Sequence, residues 1–383
     1  MPRPTHLTID LRVLVANALT IRGLANNRNI MAAVKANAYG HGMTPCAEVL
    51  EPLVDAFAVA VCEEATQLRS AGISKPILVL EGPFDKADII ELAHLECWMA
   101  VHSFEQITKL QTTIAEGAIV PPRVIWLKVD TGMHRLGVSP QDVPSITQIL
   151  RSLGINDVRL MTHLAYAESP ESPLTQRQLQ RWNRVTKGFT GQVSLMNSAG
   201  LTNLPDGQNA QASEDWLRPG YMLYGGAIDS VALEGPVPTG VADSNHTVSY
   251  TTRAVMELNS RVMAIRSIDA GETVGYGGRW QASRRSRIAT IPVGYGDGYP
   301  RTADSGTPVI VNGMRCPLVG RVSMDMITVD VTDCSDVNVD SSVQLWGQQL
   351  AVDEVARHAG TIGYELLTRL PERLPRHILV SDI

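Results

Sequence analysis

A lysine closes the apolar run Met31-Ala32-Ala33-Val34, and a small, glycine-bounded stretch, Ala36-Asn37-Ala38-Tyr39-Gly40-His41-Gly42, follows it. An ammonium at the end of a buried strand is costly to desolvate unless it is paired or chemically used. Desolvation also lowers its pKa and frees the amine for Schiff-base chemistry. A lysine that snorkels to solvent fits the same local pattern. Other polar residues fall near the ends of later apolar runs: Lys128, His163, Asn197, Ser198, and Arg218 with Gly220. Arg135 can present a planar fork to a carboxylate, as a substrate ligand or in a surface ion pair. A Ser198 hydroxyl beside exposed backbone N–H groups, with Gly220 permitting close approach, makes a natural phosphate cradle. The same Pro-Gly step also marks ordinary turns. A histidine near a strand is more often a satisfied core residue than a catalyst, so His163 gains meaning only from its neighbours.

These residues need a scaffold that gathers them. Short apolar runs alternate with amphipathic segments from about residue 30 to 225. Expected strands are 30–35, 56–61, 76–80, 97–101, 123–130, 158–164, 192–196 and 215–218. Apolar spacings of three and four predict helices over 63–70, 86–95, 104–114, 143–153 and 175–189. Ser103 and Ser172 read as helix starts. Eight strand–helix units suggest an α/β fold, a (β/α)8 barrel. Periodicity alone also fits an open doubly wound sheet, although no G-x-G-x-x-G follows an early strand. A barrel places chemistry at the C-terminal ends of its strands, with a phosphate near the loops after strands seven and eight. Lys35, Lys128, His163, Asn197 with Ser198, and Arg218 with Gly220 then mark one rim from five strands.

Residues 227–245 are rich in Gly, Pro, Ser and Asp and read as a linker or long surface loop. The pattern then changes to strands. Residues 308–316 read as a hairpin around Asn312-Gly313, a pair suited to a type I′ turn. Residues 324–331 alternate imperfectly, which fits a bulge, and 352–359 is a helix. The expected plan is an N-terminal (β/α)8 barrel, residues 1–235, and a C-terminal antiparallel β domain, residues 236–383.

The string Ala33-Val-Lys-Ala-Asn-Ala-Tyr-Gly-His-Gly42 resembles the cofactor-attachment motif of alanine racemases, which hold pyridoxal phosphate (PLP) on the lysine. Further segments resemble the same family: Lys128-Val-Asp-Thr-Gly-Met-His-Arg135-Leu-Gly, Thr162-His163-Leu-Ala, Asn197-Ser198-Ala, Arg218-Pro-Gly220-Tyr221, Gly275-Tyr276-Gly-Gly, Gly294-Tyr295-Gly-Asp-Gly-Tyr, Val319-Gly-Arg-Val-Ser-Met324-Asp325 and Thr361-Ile-Gly-Tyr364-Glu. The resemblance covers almost the whole chain. It implies that Lys35 holds the cofactor and serves one face of the substrate, taking the proton from the D enantiomer. Tyr276 serves the other face and handles the L enantiomer. The resemblance also implies that Arg135 and the backbone N–H of Met324 contact the substrate carboxylate. Lys128, carbamylated in some members, steadies the arginine. By the same resemblance His163 is expected next to the tyrosine with Arg218 behind it, and Arg218 is expected to face the pyridine nitrogen. The resemblance further implies that Tyr39, Ser198, Gly220, Tyr221 and Tyr364 surround the cofactor, with Asn197, Tyr295 and Asp325 in support. In this family residues 5–10 join the β domain, and the tyrosine reaches across from the second subunit of a head-to-tail homodimer. A tyrosine at a strand end is otherwise usually a packing or interface residue.

Composition agrees with a globular enzyme: 383 residues, 44% hydrophobic and 19% charged. A net charge of −6 without a basic block argues against nucleic acid or an anionic membrane as partner. The start, MPRPTHLTID, has no apolar signal core, so a cytoplasmic location is expected. Five scattered cysteines without a C-x-x-C pair predict reduced, structural thiols and no zinc site. Three alternatives share features of this plan. PLP decarboxylases of related fold typically carry a Gly-Gly-Gly loop, absent here, and a catalytic cysteine in a context that neither Cys316 nor Cys334 matches. Non-catalytic PLP-binding proteins resemble the barrel alone. A serine or broad-specificity racemase differs only in side-chain tolerance, which pocket contacts discriminate weakly.

Overall fold

A computed structural model describes residues 3–204, 216–226, 234–235, 248–249 and 252–380. Strand β1 (His6–Asp10) buries Leu7 and Ile9 on one face and leaves the alternate residues partly exposed. Asp10 then caps helix α1 (Leu11–Leu24), its carboxylate accepting from the Arg12 N–H at 3.0 Å. The apolar stripe of α1, Leu11, Leu14, Ala18 and Ile21, packs inward.

Eight parallel strands follow: β2 (Asn29–Ala33), β3 (Ala56–Val59), β4 (Ile77–Val79), β5 (Trp98–Val101), β6 (Val124–Lys128), β7 (Asp157–Met161), β8 (Val193–Ser194) and β9 (Trp216–Leu217). They pair in the order β8-β7-β6-β5-β4-β3-β2-β9. A parallel bridge between Asn197 and Arg218, with the Arg218 N–H donating to Met196 O at 2.9 Å, links the two ends of the sheet. The result is the expected barrel. Most strand residues are buried, because helices cover one face and the barrel interior the other. At the barrel floor Trp98, Trp126 and Trp216 enclose Arg159, whose guanidinium carbon lies 4.7 Å from the Trp98 ring centroid.

The expected helices are present, with Ser103 and Ser172 capping theirs. Helix α1 and the helix Met43–Leu50 were not expected. The strands are shorter than expected. Ladder pairing is confined to the strand cores, so β2 ends at Ala33 and Lys35 lies beyond it. Asp215, the first residue of the eighth expected strand, and most of the expected linker lie outside the described residues. Within that linker Glu234–Gly235 pairs antiparallel with Val248–Ser249.

The second region is built on a six-stranded sheet in the order Met314–Pro317, Pro308–Val311, Ser342–Trp346, Met256–Arg261, β1, Arg376–Leu379. A three-stranded sheet, Ala264–Ile268, Ser286–Ile291 and Ile327–Asp330, lies beside it. Pairing is antiparallel except between β1 and Arg376–Leu379, which run parallel. The expected hairpin turn has both Asn312 (φ 49°) and Gly313 (φ 79°) in the left-handed region, as a type I′ turn requires. Only Ile327–Asp330 of the expected 324–331 strand pairs; the Ser323 N–H instead donates to Met326 O at 2.9 Å.

Two side chains tie the regions together. Asn17 of α1 donates to Leu223 O at 2.9 Å and Arg253 O at 2.8 Å, and accepts from the Arg253 N–H at 2.9 Å. Tyr221 donates to Asp353 Oδ1 at 2.7 Å.

Candidate active site

A cavity of about 880 Å³ opens at the C-terminal ends of the barrel strands. Lys35 lines it, at the start of an unusual turn. Ala36, Asn37, Ala38 and Tyr39 have φ of 52°, 55°, 53° and 52°, a left-handed run of four residues that carry Cβ atoms. Such a run costs roughly 1–2 kcal/mol per residue, so its surroundings must hold it. Glu64 Oε1 accepts from the Ala36 N–H at 2.7 Å, and Oε2 from the Ala60 N–H at 2.7 Å. Asn37 Oδ1 accepts from the Met43 N–H at 2.8 Å. Gly40 continues the turn at φ 83°, where a Cβ would stand 2.1 Å from Leu367 O. Burial lowers the Lys35 pKa, helped by the Arg135 charge and opposed by Glu81 and Glu64. The free amine is thereby favoured.

On the loop after β8, Asn197 caps the short helix Ser198–Asn203, accepting from the Gly200 N–H at 2.9 Å. Ser198 Oγ accepts from the N–H groups of Gly220 (2.9 Å) and Met222 (3.3 Å). A Cβ on Gly220 would lie 2.4 Å from the Tyr39 hydroxyl, so only glycine leaves that hydroxyl room. Burial pushes the Tyr39 phenol up to about 12, keeping it protonated as a donor. Tyr39 stacks on Tyr224 at 4.9 Å, and Tyr221 stacks on Tyr364 at 3.7 Å. The Tyr221 hydroxyl is engaged with Asp353, so its ring and backbone are what it contributes to the wall.

Arg218 is buried and tied to neutral acceptors: the Ser194 hydroxyl, Thr162 O, and Leu195 O at 3.4 Å. Burial lowers its pKa to about 10, still a cation at neutral pH. Burial and the charges of Arg218, Arg135 and Lys35 push Lys128 down to about 8, against the pull of Glu81. Burial, then Arg218, Lys128, Arg135 and Lys35, push His163 down to about 3, so its imidazole is neutral. Arg135 itself is exposed on the loop after β6. Asp130 shapes that loop, accepting from the N–H groups of Gly132 (2.9 Å) and His134 (3.1 Å) and pairing with His134 Nδ1 at 2.9 Å. Lys35, Lys128, Arg135 and Arg218 give the cavity a cationic lining suited to an anionic ligand.

The barrel-borne candidates and Tyr364 therefore gather around one cavity. Tyr276, Tyr295, Met324 and Asp325 do not line it. Tyr276 sits on the short turn Tyr276–Gly278 of the second region and is 69% exposed. Met324 is 54% and Tyr295 39% exposed, and Asp325 is paired with Arg373 at 2.7 Å. Sequence reasoning missed Glu64, Glu81, Thr162 and Ser194. Glu81 carried a usable signal, a carboxylate closing the apolar run 77–80. Nothing local connects Glu64 with the lysine turn.

Residues 9–227 match the family described as alanine racemase, N-terminal domain, and residues 255–378 match alanine racemase, C-terminal domain. The catabolic alanine racemase of Pseudomonas putida is 40% identical, covering 98% of this chain and 98% of its own. The alanine racemase of Chromohalobacter salexigens is 43% identical, again over 98% of each chain. Among solved structures, the biosynthetic alanine racemase of Pseudomonas aeruginosa aligns with a TM-score of 0.87 at 39% identity, covering 99% of this chain and 100% of that one. That of Bartonella henselae, described with covalently bound pyridoxal phosphate, aligns with a TM-score of 0.83 at 30% identity, over 99% and 100% of the two chains. The chain belongs to the alanine racemase family, and its enzymatic class is that of an isomerase racemising alanine.

Proposed function

We propose that the chain interconverts L- and D-alanine by a two-base reaction on PLP, in a site shared between two subunits of a homodimer. The residues present fit that cofactor. Lys35 would hold it through an amine whose pKa is already lowered. The Ser198 hydroxyl, the N–H groups of Gly220 and Met222 that converge on it, and the Tyr39 hydroxyl would hold its phosphate, with Tyr364 beside them. Arg218 would face the ring nitrogen. A guanidinium does not readily lend its proton, so Arg218 would offer that nitrogen a hydrogen bond without protonating it. When bound, PLP delocalises the electron pair left as the substrate Cα–H bond breaks.

Lys35 then exchanges a proton at Cα from one face and Tyr276 of the partner subunit from the other. A phenol with an ordinary pKa of about 10 needs a hydrogen-bond partner for that task. Neutral His163, backed by Arg218, supplies it. Arg135 and the Met324 N–H orient the substrate carboxylate, and Lys128 steadies Arg135. Tyr295, Asp325 and Asn197 support these groups. The barrel with its closing helices is the cofactor domain, and the region after about residue 235 carries the second base.

One observation carries the shared site: the second base is exposed on its own subunit and outside the cavity that Lys35 lines. Mixing inactive Lys35→Ala and Tyr276→Phe chains tests it. Random exchange should restore about a quarter of the sites, because each hybrid dimer carries one intact pair. A site complete within one chain regains nothing on mixing. Racemisation rates on alanine against serine test the broader-specificity reading. Relatives named for catabolic and biosynthetic roles match at nearly equal identity, 40% and 39%. D-Alanine dependence of a deletion strain separates those roles. Among the described residues no helix is long and apolar enough to cross a membrane.

A further inference from the structure

The motif Gly294-Tyr295-Gly296-Asp297-Gly298-Tyr299 contains a carboxylate that the reaction does not use. Asp297 is fully buried, with a side-chain exposure of 0%. Its Oδ1 accepts from Arg3 Nη1 at 2.6 Å and from Arg373 Nε at 2.8 Å. Its Oδ2 accepts from Arg3 Nη2 at 2.6 Å and from the Gly294 N–H at 2.9 Å. Arg373 Nη2 lies 2.7 Å from both Asp297 Oδ1 and Asp325 Oδ1. Arg3 Nη2 also donates to Pro292 O at 2.8 Å. Two cations and two carboxylates thus form a closed, balanced group under an exposed edge.

That edge carries Tyr295 and Met324. Their strands of chain are zipped by two backbone bonds, Tyr295 N–H to Ser323 O at 3.0 Å and Gly296 N–H to Met324 O at 2.8 Å. The approach is close enough that a Cβ on Gly294 would lie 2.2 Å from Ser323 O, and one on Gly296 3.0 Å from Met324 O. The glycines of the motif admit the contact, but glycine-rich chain has no side chains to hold it. Asp297 is the buried, hydrogen-bonded side chain between them.

We infer that Asp297 is a positioning residue: gripped by Arg3 and Arg373, it fixes Tyr295 and Met324 on the edge offered to the partner subunit's site. This rests on the shared-site reading proposed above. Without the carboxylate, Arg373 keeps only Asp325 and Arg3 only backbone carbonyls, so the buried link between them and the glycine motif is lost and the zip opens. Met324 then presents its N–H to the substrate carboxylate in a range of positions, which weakens substrate binding more than it slows the proton transfers.

The test compares Asp297→Asn, which keeps the shape and removes the charge, with the parent protein. Hydrogen exchange on the cofactor-free protein reads the zip directly. The amides of Tyr295 and Gly296 should exchange about tenfold faster or more in the variant. In the holoenzyme, KM for L-alanine should rise by about tenfold while kcat changes less than about threefold. The absorption band of the Lys35-bound cofactor should not change, because that lysine is held from the barrel. Unchanged exchange and KM overturn the inference. So does a parallel loss of the cofactor band, kcat and substrate affinity, which marks general disruption. If Asp297→Asn does not fold, Arg373→Gln removes one arm at a side chain that is 41% exposed, and the same readouts decide. The exchange result stands whether or not the mixed-chain experiment supports a shared site, so the two readings fail separately.

Discussion

Arg218 donates to the Ser194 hydroxyl inside the barrel, a fully buried cation tied to a neutral partner at the end of the neighbouring strand. Its charge is therefore not cancelled locally and spreads to the groups around it. After burial, it is the largest cause of the low pKa of both His163 and Lys128.

Replacing Arg218 with methionine should raise the His163 pKa from about 3 towards the ordinary histidine range. The sign follows because a nearby cation disfavours imidazolium, and removing it relieves that term while burial remains. NMR titration of the His163 ring protons reads the change. An unmoved or lower pKa would sink the idea that Arg218 keeps this imidazole neutral.

Lys128 titrates near 8 in the fold and near 10.5 in an unfolded chain. Between those values the unfolded chain binds more protons, so this residue makes stability rise with pH across that window. Below about pH 8 it costs up to about 3 kcal/mol. In carbon-dioxide-free buffer, Lys128→Met should therefore stabilise the protein most below pH 8, with the gain shrinking towards pH 10.5. Urea unfolding at several pH values checks this. Bicarbonate should stabilise the parent but not the variant, since a carbamate on Nζ replaces a crowded cation with an anion.

The left-handed turn after Lys35 is strained and exposed at Ala36 (φ 52°). Ala36→Gly removes the Cβ clash but adds freedom to the unfolded chain, for a net gain of up to about 1 kcal/mol. Glu64→Ala should do the reverse. It strands the N–H groups of Ala36 and Ala60 and costs about 1–3 kcal/mol. Denaturation midpoints of the two variants should fall on opposite sides of the parent.

Gly363 leaves no room for a side chain: a Cβ there would lie 1.8 Å from the Tyr221 hydroxyl. Gly363→Ala should push Tyr221 off Asp353 and break its stack with Tyr364. Loss of a hydrogen bond to a charged acceptor costs about 1.5–3 kcal/mol. Tyr221→Phe loses the bond but keeps the stack, so it should be the milder of the two in thermal unfolding.

The barrel was legible because each strand is a short apolar run and each helix repeats its apolar residues at three and four. The rim was legible for a related reason. Lys128, Asn197 and Arg218 interrupt those runs, and a polar residue there has few places to go. The turn at Ala36–Tyr39 was not legible, because Ala-Asn-Ala-Tyr has no glycine to announce a left-handed backbone. Glu64 holds it through contacts from another helix. Arg3 and Asp297 are 294 residues apart, and no local period records such a pair. The motif resemblance proposes Tyr276 and Met324, for which periodicity offers nothing, since both lie in irregular turns.

Strand β1 sits between Met256–Arg261 and Arg376–Leu379. During synthesis it emerges ahead of every barrel strand, yet both its neighbours emerge after the last of them. The barrel can thus assemble while β1 waits unpaired; Met256–Arg261 can then take it up, and the sheet gains its outer strand only when translation has passed residue 379. Such long-range pairing is intrinsically slow. The six-stranded sheet is therefore complete only after every barrel strand is available, which orders barrel folding ahead of the finished second region.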